Sequence, residues 1–405
     1  MKQFFLLTLL FSLLFSQEPR TLSPIPLPKT YVIDYSVELC DDSCLENYYK
    51  SGKPFSFITG YSPKYASIEN GNRFREFASM INLDVRDFYI SSSNEFRLAL
   101  IIPKKVVGRY AVSVSHSVLA YLLLRNPSFS FKVIDSRYED ENSLREALNR
   151  TKQEGFTHTI ALLTSKGAKT LSKLNETQNL EIYIPSVNKK MVEKHKPNVI
   201  YGGIDYEAQI DKVIESINNN NIVAISDGSP LSSELDGYAS KDSNNIIGIA
   251  LDSMEAELYK RSIKRNASTI KRGSVLLNSS VVKSAMFMSQ LTFNDVKPKT
   301  IISSQINYTP SIFSLTQRAD RKNFVVANSI TSSLPTLQEA NEIVDTDIQY
   351  DWINYSTSIG LDGFYTKSYL NSQNESFKEI IIDNQVNYEI ELLETKHGGF
   401  FKKEF

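Results

Sequence analysis

Residues 97–136 read RLALIIPKKVVGRYAVSVSHSVLAYLLLRNPSFSFKVIDS, and this stretch decides the fold. Its first six residues, 97–102, form an apolar run that ends at Pro103. An amphipathic pattern at 108–125 predicts a helix, and a second short apolar run follows at 131–134. A strand, a helix and a strand in this order form a unit whose two strands pair in parallel.

The same alternation continues to residue 334, in two series that meet at Gly202–Gly203. Further strands are predicted at 159–163, 181–184, 198–201, 222–225, 246–251, 275–277, 300–303 and 324–327. The tail predicts closing antiparallel strands at 378–382, 388–393 and 400–403, with turns at Asp383–Asn384 and Gly398–Gly399. We therefore predict an α/β fold of two Rossmann-like lobes, each with a parallel sheet flanked by helices.

The amino-terminal residues predict export. Lys2 supplies a positive start, residues 4–15 are an apolar run too short to span a bilayer, and Ser16 offers a cleavage site. A buried core helix is the alternative reading of this run. No later segment reaches eighteen consecutive apolar residues, so we expect a periplasmic protein with no stable membrane insertion.

Composition and pattern divide the rest of the chain. Four prolines between residues 17 and 30 predict an extended tether, and residues 31–95 carry helical patterns after an extended start at 31–37. The predicted parts are a signal peptide (1–16), a proline-rich tether (17–30), a small N-terminal helical extension (31–95), a first lobe (96–204 and 335–375) and a second lobe (205–334 and 376–405).

Charge and cysteine content restrict the function further. The chain has 45 Lys and Arg against 46 Asp and Glu, a formal net charge of −1, and the charges are scattered, so no nucleic-acid partner is expected. Cys40 and Cys44 stand four residues apart. On one helix they would face the same side at about 6 Å, a separation that a disulfide accepts. In an oxidising compartment we favour the disulfide over two free thiols.

The order of elements resembles the type I periplasmic-binding-protein superfamily. The resemblance covers about residues 96–405, and the segments that carry it are RLALIIP (97–103), VIDS (133–136), IALLTS (160–165), YGGIDYEAQI (201–210) and WINYSTSIGLDGFY (352–365). This superfamily includes the branched-chain amino-acid receptors and part of some peptidoglycan-synthase activators. The resemblance implies two lobes, about three crossovers between them and a ligand cleft; it implies function only by analogy.

Ligands of doubly wound sheets bind at the loops that follow the strands. Thr164, Ser165 and Lys166 follow a strand and open a helix, so their free N–H groups, with the Ser165 hydroxyl as the cap, are candidates for holding a carboxylate or phosphate. Asp227 and Ser229 stand at the matching point of the second lobe. There Asp227 is a candidate either to cap a helix or to accept a ligand ammonium.

Asp205 and Tyr206, at the expected crossover, offer a carboxylate and an aromatic wall to an amino group with an apolar neighbour. Helix capping alone is the competing explanation for Ser165 and Asp227. Lys104 and Lys105 add two cations to a loop where the family usually has small polar groups. This favours an anionic ligand or an empty cleft over an amino-acid site.

The sequence contains no recognisable catalytic or metal motif. The four histidines (His116, His158, His195, His397) are far apart, which argues against a metal site. Glycine-rich phosphate loops and the nucleophile elbow are missing, and three S-x-x-K matches occur without K-T-G, as chance predicts. We therefore expect no enzyme and no cofactor, although a hydrolase with two carboxylates distant in sequence stays open.

Two functions remain. The preferred one is a non-catalytic envelope protein that acts through protein–protein contact, with the tether and the helical extension as added interaction material. The alternative is a solute-binding receptor for a small, anionic ligand that feeds a transporter or sensor complex.

Overall fold

The computed structural model describes residues 40–62, 66–80, 95–125, 129–217, 221–242, 246–251, 255–368 and 376–404. The predicted signal peptide (1–16), the tether (17–30) and the extended start at 31–37 lie outside these ranges. The chain forms two compact units, residues 1–85 and 86–405. None of the helices in the described ranges combines the length and apolarity that crossing a bilayer demands.

The first unit contains three helices within the predicted extension of residues 31–95, namely α1 (Asp42–Lys50), α2 (Pro54–Gly60) and α3 (Ile68–Met80). Cys40 and Cys44 form a disulfide with a Cα–Cα distance of 5.4 Å, which confirms the predicted bond. The predicted placement of both cysteines on one helix is wrong, because Asp41 caps α1 by accepting the Cys44 N–H at 2.9 Å. The disulfide therefore joins the residue before this cap to the first helical turn.

The first lobe of the second unit alternates strands with helices. Its elements are β1 (Phe96–Ile102), α4 (Lys104–Val107), α5 (Tyr110–Arg125), β2 (Phe129–Asp135), α6 (Glu141–Gln153), β3 (His158–Ala161), α7 (Ser165–Leu171), β4 (Glu181–Ile184) and β5 (Val199–Tyr201).

The second lobe repeats this pattern. Its elements are α8 (Tyr206–Glu215), β6 (Ile222–Ser226), α9 (Pro230–Asp242), β7 (Ile246–Ala250), α10 (Ala256–Arg272), β8 (Ser274–Asn278), α11 (Val281–Phe293), β9 (Ile301–Ser303), α12 (Ser311–Leu315) and β10 (Phe324–Asn328). The chain then continues through α13 (Pro335–Ile343), α14 (Trp352–Ser368), β11 (Ile380–Ile382), β12 (Gln385–Asn387), β13 (Glu391–Lys396) and β14 (Gly399–Lys402).

Two seven-stranded sheets result, with the orders β11-β12-β5-β4-β3-β1-β2 and β14-β13-β10-β9-β8-β6-β7. Read from β2 and from β7, both follow the same doubly wound order. Each has five parallel strands from its alternating units and is completed by an antiparallel hairpin, whose inner strand is parallel to β5 in the first sheet and antiparallel to β10 in the second. Two lobes of this kind confirm the predicted fold class.

The hairpin β11–β12 corrects one predicted boundary. Residues 376–405 were predicted to lie in the second lobe, but Gln385 pairs with Tyr201 of the first sheet, and Val386 is buried in the first-lobe core. The turn Asp383–Asn384 has positive φ at both residues, the conformation that a two-residue hairpin turn requires. Only the second hairpin, β13–β14, completes the second sheet.

The apolar run of β1 is continuous because both faces of its sheet are covered. Leu98 and Leu100 lie in a core beneath α5 and α14, whereas Ala99 and Ile101 lie in the core on the opposite face, beneath α6 and α7. A strand buried on both faces has no polar alternation. Because helices cover the faces of the sheets, the carboxyl ends of the parallel strands are bordered by the connecting loops.

Three segments connect the lobes, at 202–205, 329–334 and 388–390. The first is held by side chains of the first lobe and of the third segment. The hydroxyls of Ser356 and Tyr388 donate to the Gly202 carbonyl at 2.8 and 2.6 Å, and the amide of Asn188 donates to the Gly203 carbonyl at 3.1 Å. A Cβ at Gly203 would overlap the backbone of Val187. These glycines are thus required by close packing.

This packing predicts that Gly203→Ala destabilises the fold by more than about 2 kcal/mol, since backbone atoms must move to admit the methyl group. Gly237→Ala is the matched control: it lies within α9 with no neighbouring atom within 4 Å of the added carbon. We expect it to be neutral or to stabilise by up to ~1 kcal/mol. Urea unfolding of both variants measures the difference, and equal stability of the two would contradict the packing argument.

Candidate functional site

The two lobes enclose an open cleft of about 1140 Å³. Its first-lobe wall comes from the start of α5, from α7 and from residues 186–193. Its second-lobe wall comes from α8, α9 and residues 305–309. Residues 347–353, which lead into α14, complete the lining. The cleft therefore lies at the carboxyl ends of the strands, as doubly wound sheets predict.

Aromatic pairs line the cleft where the lobes meet. Tyr206 and Trp352 are edge to face with ring centroids 6.2 Å apart, and the rings of Tyr308 and Tyr350 are 5.1 Å apart. Burial raises the pKa of both Tyr206 and Tyr308, so both hydroxyls remain neutral. These pairs provide an apolar surface with protonated hydroxyl groups.

Carboxylates outnumber cations in the lining. The acidic side chains are Glu193, Asp205, Glu207, Glu234, Asp347 and Asp351, and the basic ones are Arg109, Lys169, Lys190 and Lys241. Burial raises the pKa of Asp351, although the N–H groups of Asn354 and Ile353 donate to this carboxylate. This balance disfavours the anionic ligand that the sequence predicted.

The loop predicted to hold an anion is occupied by the protein's own carboxylate. Glu139 is 5% exposed, and its Oε1 accepts the backbone N–H of Thr164 at 2.6 Å. The Thr164 hydroxyl donates to Oε2 of the same residue. A Cβ at Gly167 would lie 2.6 Å from the Glu139 carboxyl carbon, so this glycine makes room for the carboxylate. The position that a ligand carboxylate would take is filled.

Asp205, the predicted acceptor for a ligand ammonium, also has an internal partner. Its Oδ1 accepts the Ala208 N–H at 3.1 Å and caps α8, while its Oδ2 accepts Lys190 Nζ at 2.6 Å. The hydrogen bond to Asp205 raises the pKa of Lys190. The lysine ammonium therefore stands where an amino ligand would bind.

Asp227 and Ser229 serve the backbone of the second lobe. Asp227 Oδ1 accepts the Ser229 N–H at 3.1 Å, and its Oδ2 accepts the Ser280 N–H at 3.0 Å. Burial works against ionisation of Asp227, but these hydrogen bonds together lower its pKa. Ser229 Oγ accepts the Ser232 N–H at 3.2 Å, in the first turn of α9. Both residues act as turn and cap residues.

The seven predicted site residues therefore divide into two groups. Ser165, Asp205 and Tyr206 border the cleft, whereas Thr164, Lys166, Asp227 and Ser229 are not among its lining residues. The cap predicted at Ser165 is wrong, because Thr164 is the N-cap of α7 and Ser165 is the first helical residue.

Sequence reasoning missed the segment before α14. Asp347, Tyr350 and Asp351 line the cleft, next to Trp352, which composition alone could not distinguish from a core residue. The signal was the cluster of acidic and aromatic residues in DIQYDW at 347–352. Glu139 and Lys190 were also missed, since neither belongs to a motif and both act across long loops.

No group of three or more His, Cys, Asp or Glu side chains suited to a metal ion occurs in the described part of the chain. Two of the histidines have clear structural contacts. His116 Nδ1 lies 2.9 Å from the Val344 carbonyl, and the His158 ring stacks on Phe96 at 5.5 Å.

Replacement of Glu139 tests whether its carboxylate occupies the anion position of the Thr164 loop. Glu139→Ala leaves buried hydrogen-bond donors without a partner and should cost about 1–3 kcal/mol. Acetate or formate should restore part of this stability, because either anion fits the vacated position. The measurement is urea unfolding with and without the anion.

Glu141→Ala is the control, because the exposed Glu141 pairs with Arg145 on the surface of α6 and with no other cation among the described residues. This variant should change stability far less and should not respond to acetate. Equal rescue of both variants would show that acetate acts nonspecifically.

No protein-family model matches the chain, and no curated protein is similar to it in sequence. Solved structures do match. The leucine-binding protein LivK from Thermotoga maritima is 12% identical with a TM-score of 0.55, over 76% of this chain and 98% of LivK. The C-domain of LpoA from Haemophilus influenzae, a regulator of PBP1A, is 13% identical with a TM-score of 0.53, over 76% of this chain and 100% of that domain.

Full-length LpoA from Haemophilus influenzae is 13% identical with a TM-score of 0.52, over 89% of this chain and 68% of LpoA. These TM-scores establish a common fold, and identities this low leave function open. Binding proteins and a regulator thus share the architecture described here. The chain has the two-lobed fold of the type I periplasmic binding proteins.

Proposed function

We propose that this protein is a non-catalytic, exported component of the periplasm that acts by contacting another envelope protein. Residues 1–16 act as its signal peptide, and the proline-rich tether and helical extension give it reach and additional surface. The cleft between the lobes is then a structural feature of the scaffold and not a transport site.

Two of the candidate binding positions, the Thr164 loop and Asp205, are already occupied by side chains of the protein itself, and this supports the proposal. Glu139 takes the hydrogen bonds that the Thr164 loop would offer to a carboxylate, and Lys190 neutralises Asp205. A free amino acid would have to displace both groups, and displacement of Glu139, which is buried, would leave its carboxylate without the donors of the Thr164 loop. Transport of zwitterions is therefore disfavoured.

The solved structures add an independent reason. The LpoA C-domain shows that this fold occurs in a protein described as a regulator of PBP1A. A type I binding-protein fold is therefore compatible with a role other than transport.

A solute-binding receptor is the second candidate, because the cleft is large and aromatic. Tyr206 and Trp352 present ring surface to it, and the excess of carboxylates would select a neutral or cationic ligand. Such a ligand would bind against the rings without displacing Glu139 or Lys190.

Thermal unfolding with a ligand panel separates the two functions. We expect amino acids, small carboxylates, nucleosides and short peptides to leave Tm unchanged. A receptor saturated to a hundred times its Kd would instead gain about 2.7 kcal/mol of stability, a shift of several degrees. A reproducible shift with any of these compounds would favour the receptor.

Cross-linking in living cells tests the proposal directly. A photoreactive amino acid placed at surface positions of both lobes should yield a discrete covalent complex with one envelope protein. The same residue at Gly237, on the exposed side of α9, provides a background control. The absence of any envelope adduct above that background would remove the support for protein contact.

A further inference from the structure

The edge strand β2 offers an unoccupied hydrogen-bonding edge. All seven of its residues pair in parallel with β1, and β2 stands at the end of the sheet. Within the described ranges, no strand pairs with its other edge. Such an edge presents backbone N–H and C=O groups, and an extended segment can form hydrogen bonds with them as an added strand.

Helix α5 places an apolar stripe beside this edge. One flank of α5 faces α14, where Asn354 Nδ2 donates to Ser113 Oγ at 2.7 Å. Val112, Leu119 and Leu123 lie on another face, at helical spacings of seven and four residues, and His116 on the same face lies with Nδ1 2.9 Å from the Val344 carbonyl, next to α13. Val112 is 56% exposed and Leu123 is 63% exposed, so this stripe is open to solvent.

The side chains of β2 on the face beneath α5 are also apolar. Phe131 and Val133 stand beside Leu98 and Leu100, whose side chains point into the core beneath α5. Phe131 packs against that core, whereas Val133 is 43% exposed. The free edge of β2 and the flank of α5 together form an apolar groove, which we call the β2–α5 groove.

Charge distinguishes the two ends of this groove. Lys104, Lys105 and Arg137 are exposed at its carboxyl end, and the Lys105 N–H donates to the Arg137 carbonyl at 3.0 Å. None of these three cations has an ion-pair partner among the described residues. The adjacent Asp135 accepts the backbone N–H groups of Lys104 and Arg137, which leaves a net charge of +2 from three cations and one carboxylate.

The charges at the amino end and along the edge are neutralised. Arg97 pairs with Glu95 at 2.7 Å, and Lys132 pairs with Glu154 at 2.6 Å. Only the carboxyl end of the groove therefore attracts negative charge.

From these observations we infer that the β2–α5 groove binds an extended segment of a partner protein. Alternate residues of the segment are apolar, and the end that lies near Lys104, Lys105 and Arg137 is acidic. This inference rests on the proposed function, because it names the surface through which the contact is made. The backbone edge requires a polypeptide in β conformation, the stripe selects alternate apolar side chains, and the cations set the chemistry of one end.

A second copy of the chain fits less well. Symmetric pairing of two β2 strands is antiparallel and would bring the amino end of one copy to the cationic end of the other. The carboxylate there, Glu95, is already paired with Arg97. A second copy would thus leave the cations uncompensated.

Selection of random peptides on the purified full-length chain tests the inference. Enriched peptides should alternate apolar residues over about the length of β2 and carry Asp or Glu at one end. Binding should weaken as salt is added, because the acidic end is screened. No enrichment, or enrichment of sequences without this pattern, would overturn the assignment.

Variants then locate the site. Leu123→Glu and Lys105→Glu should each weaken binding of the selected peptides at least about tenfold, the effect expected when an anchoring apolar or charged contact is lost. Phe293→Glu on α11 is the apolar control, since Phe293 is 77% exposed in the other lobe. Lys264→Glu on α10 is the charge control. Both should bind within about twofold of the unaltered chain; equal losses in the controls would count against the groove.

The oligomeric state provides the remaining measurement. A dimer that forms at high concentration and is lost in Leu123→Glu would identify a second copy as the occupant and overturn the inference. Recovery of an envelope adduct in cells without any selected peptide would reject the groove while leaving the proposed function intact. Failure of both experiments would reject both.

Discussion

The relative position of the lobes depends on buried hydrogen bonds at the first crossover. The carbonyl groups of Gly202 and Gly203 are surrounded by side chains of the first lobe and of the β11–β12 hairpin, and each carbonyl has a donor. A buried carbonyl without a donor is costly, so these bonds hold the backbone where it enters α8. Because Ser356 belongs to α14 and Tyr388 to the third crossover, one cluster joins three parts of the chain that are distant in sequence.

The need of polar backbone groups for a hydrogen-bond partner also explains why two loops near the cleft are occupied. Loops at the ends of parallel strands expose N–H groups and caps, which a binding protein leaves for its ligand. Here the protein supplies those partners itself, through Glu139 at the Thr164 loop and Lys190 at Asp205. Intramolecular partners stabilise the loops without a ligand. On the function we propose, the scaffold keeps the fold of a receptor while its contacts with other molecules move to outer surfaces such as the β2–α5 groove.

Much of the fold could be predicted from pattern. The strands of both lobes appear as apolar runs because both faces of each sheet are covered, and the hairpin turns are marked by Asp383–Asn384 and by Gly398. The lobe to which the hairpin β11–β12 belongs could not be predicted. Its three isoleucines, Ile380, Ile381 and Ile382, pair readily with any strand edge, and long-range contacts such as the pairing of Gln385 with Tyr201 select the first sheet. The relation of Cys40 to its helix likewise depended on the cap formed by Asp41.

The sequence by itself determined the alternation of strands and helices, the division into two lobes and the candidate loops, because periodicity, turn residues and caps act over a few neighbouring positions. Only the tertiary structure decided which of those loops are free. A carboxylate 25 residues from Thr164 and an ammonium 15 residues from Asp205 fill two of the predicted anchors. Such pairings arise because the loops after β2 and β3, and those after β4 and β5, meet at the same edge of the sheet, and local sequence carries no record of that approach.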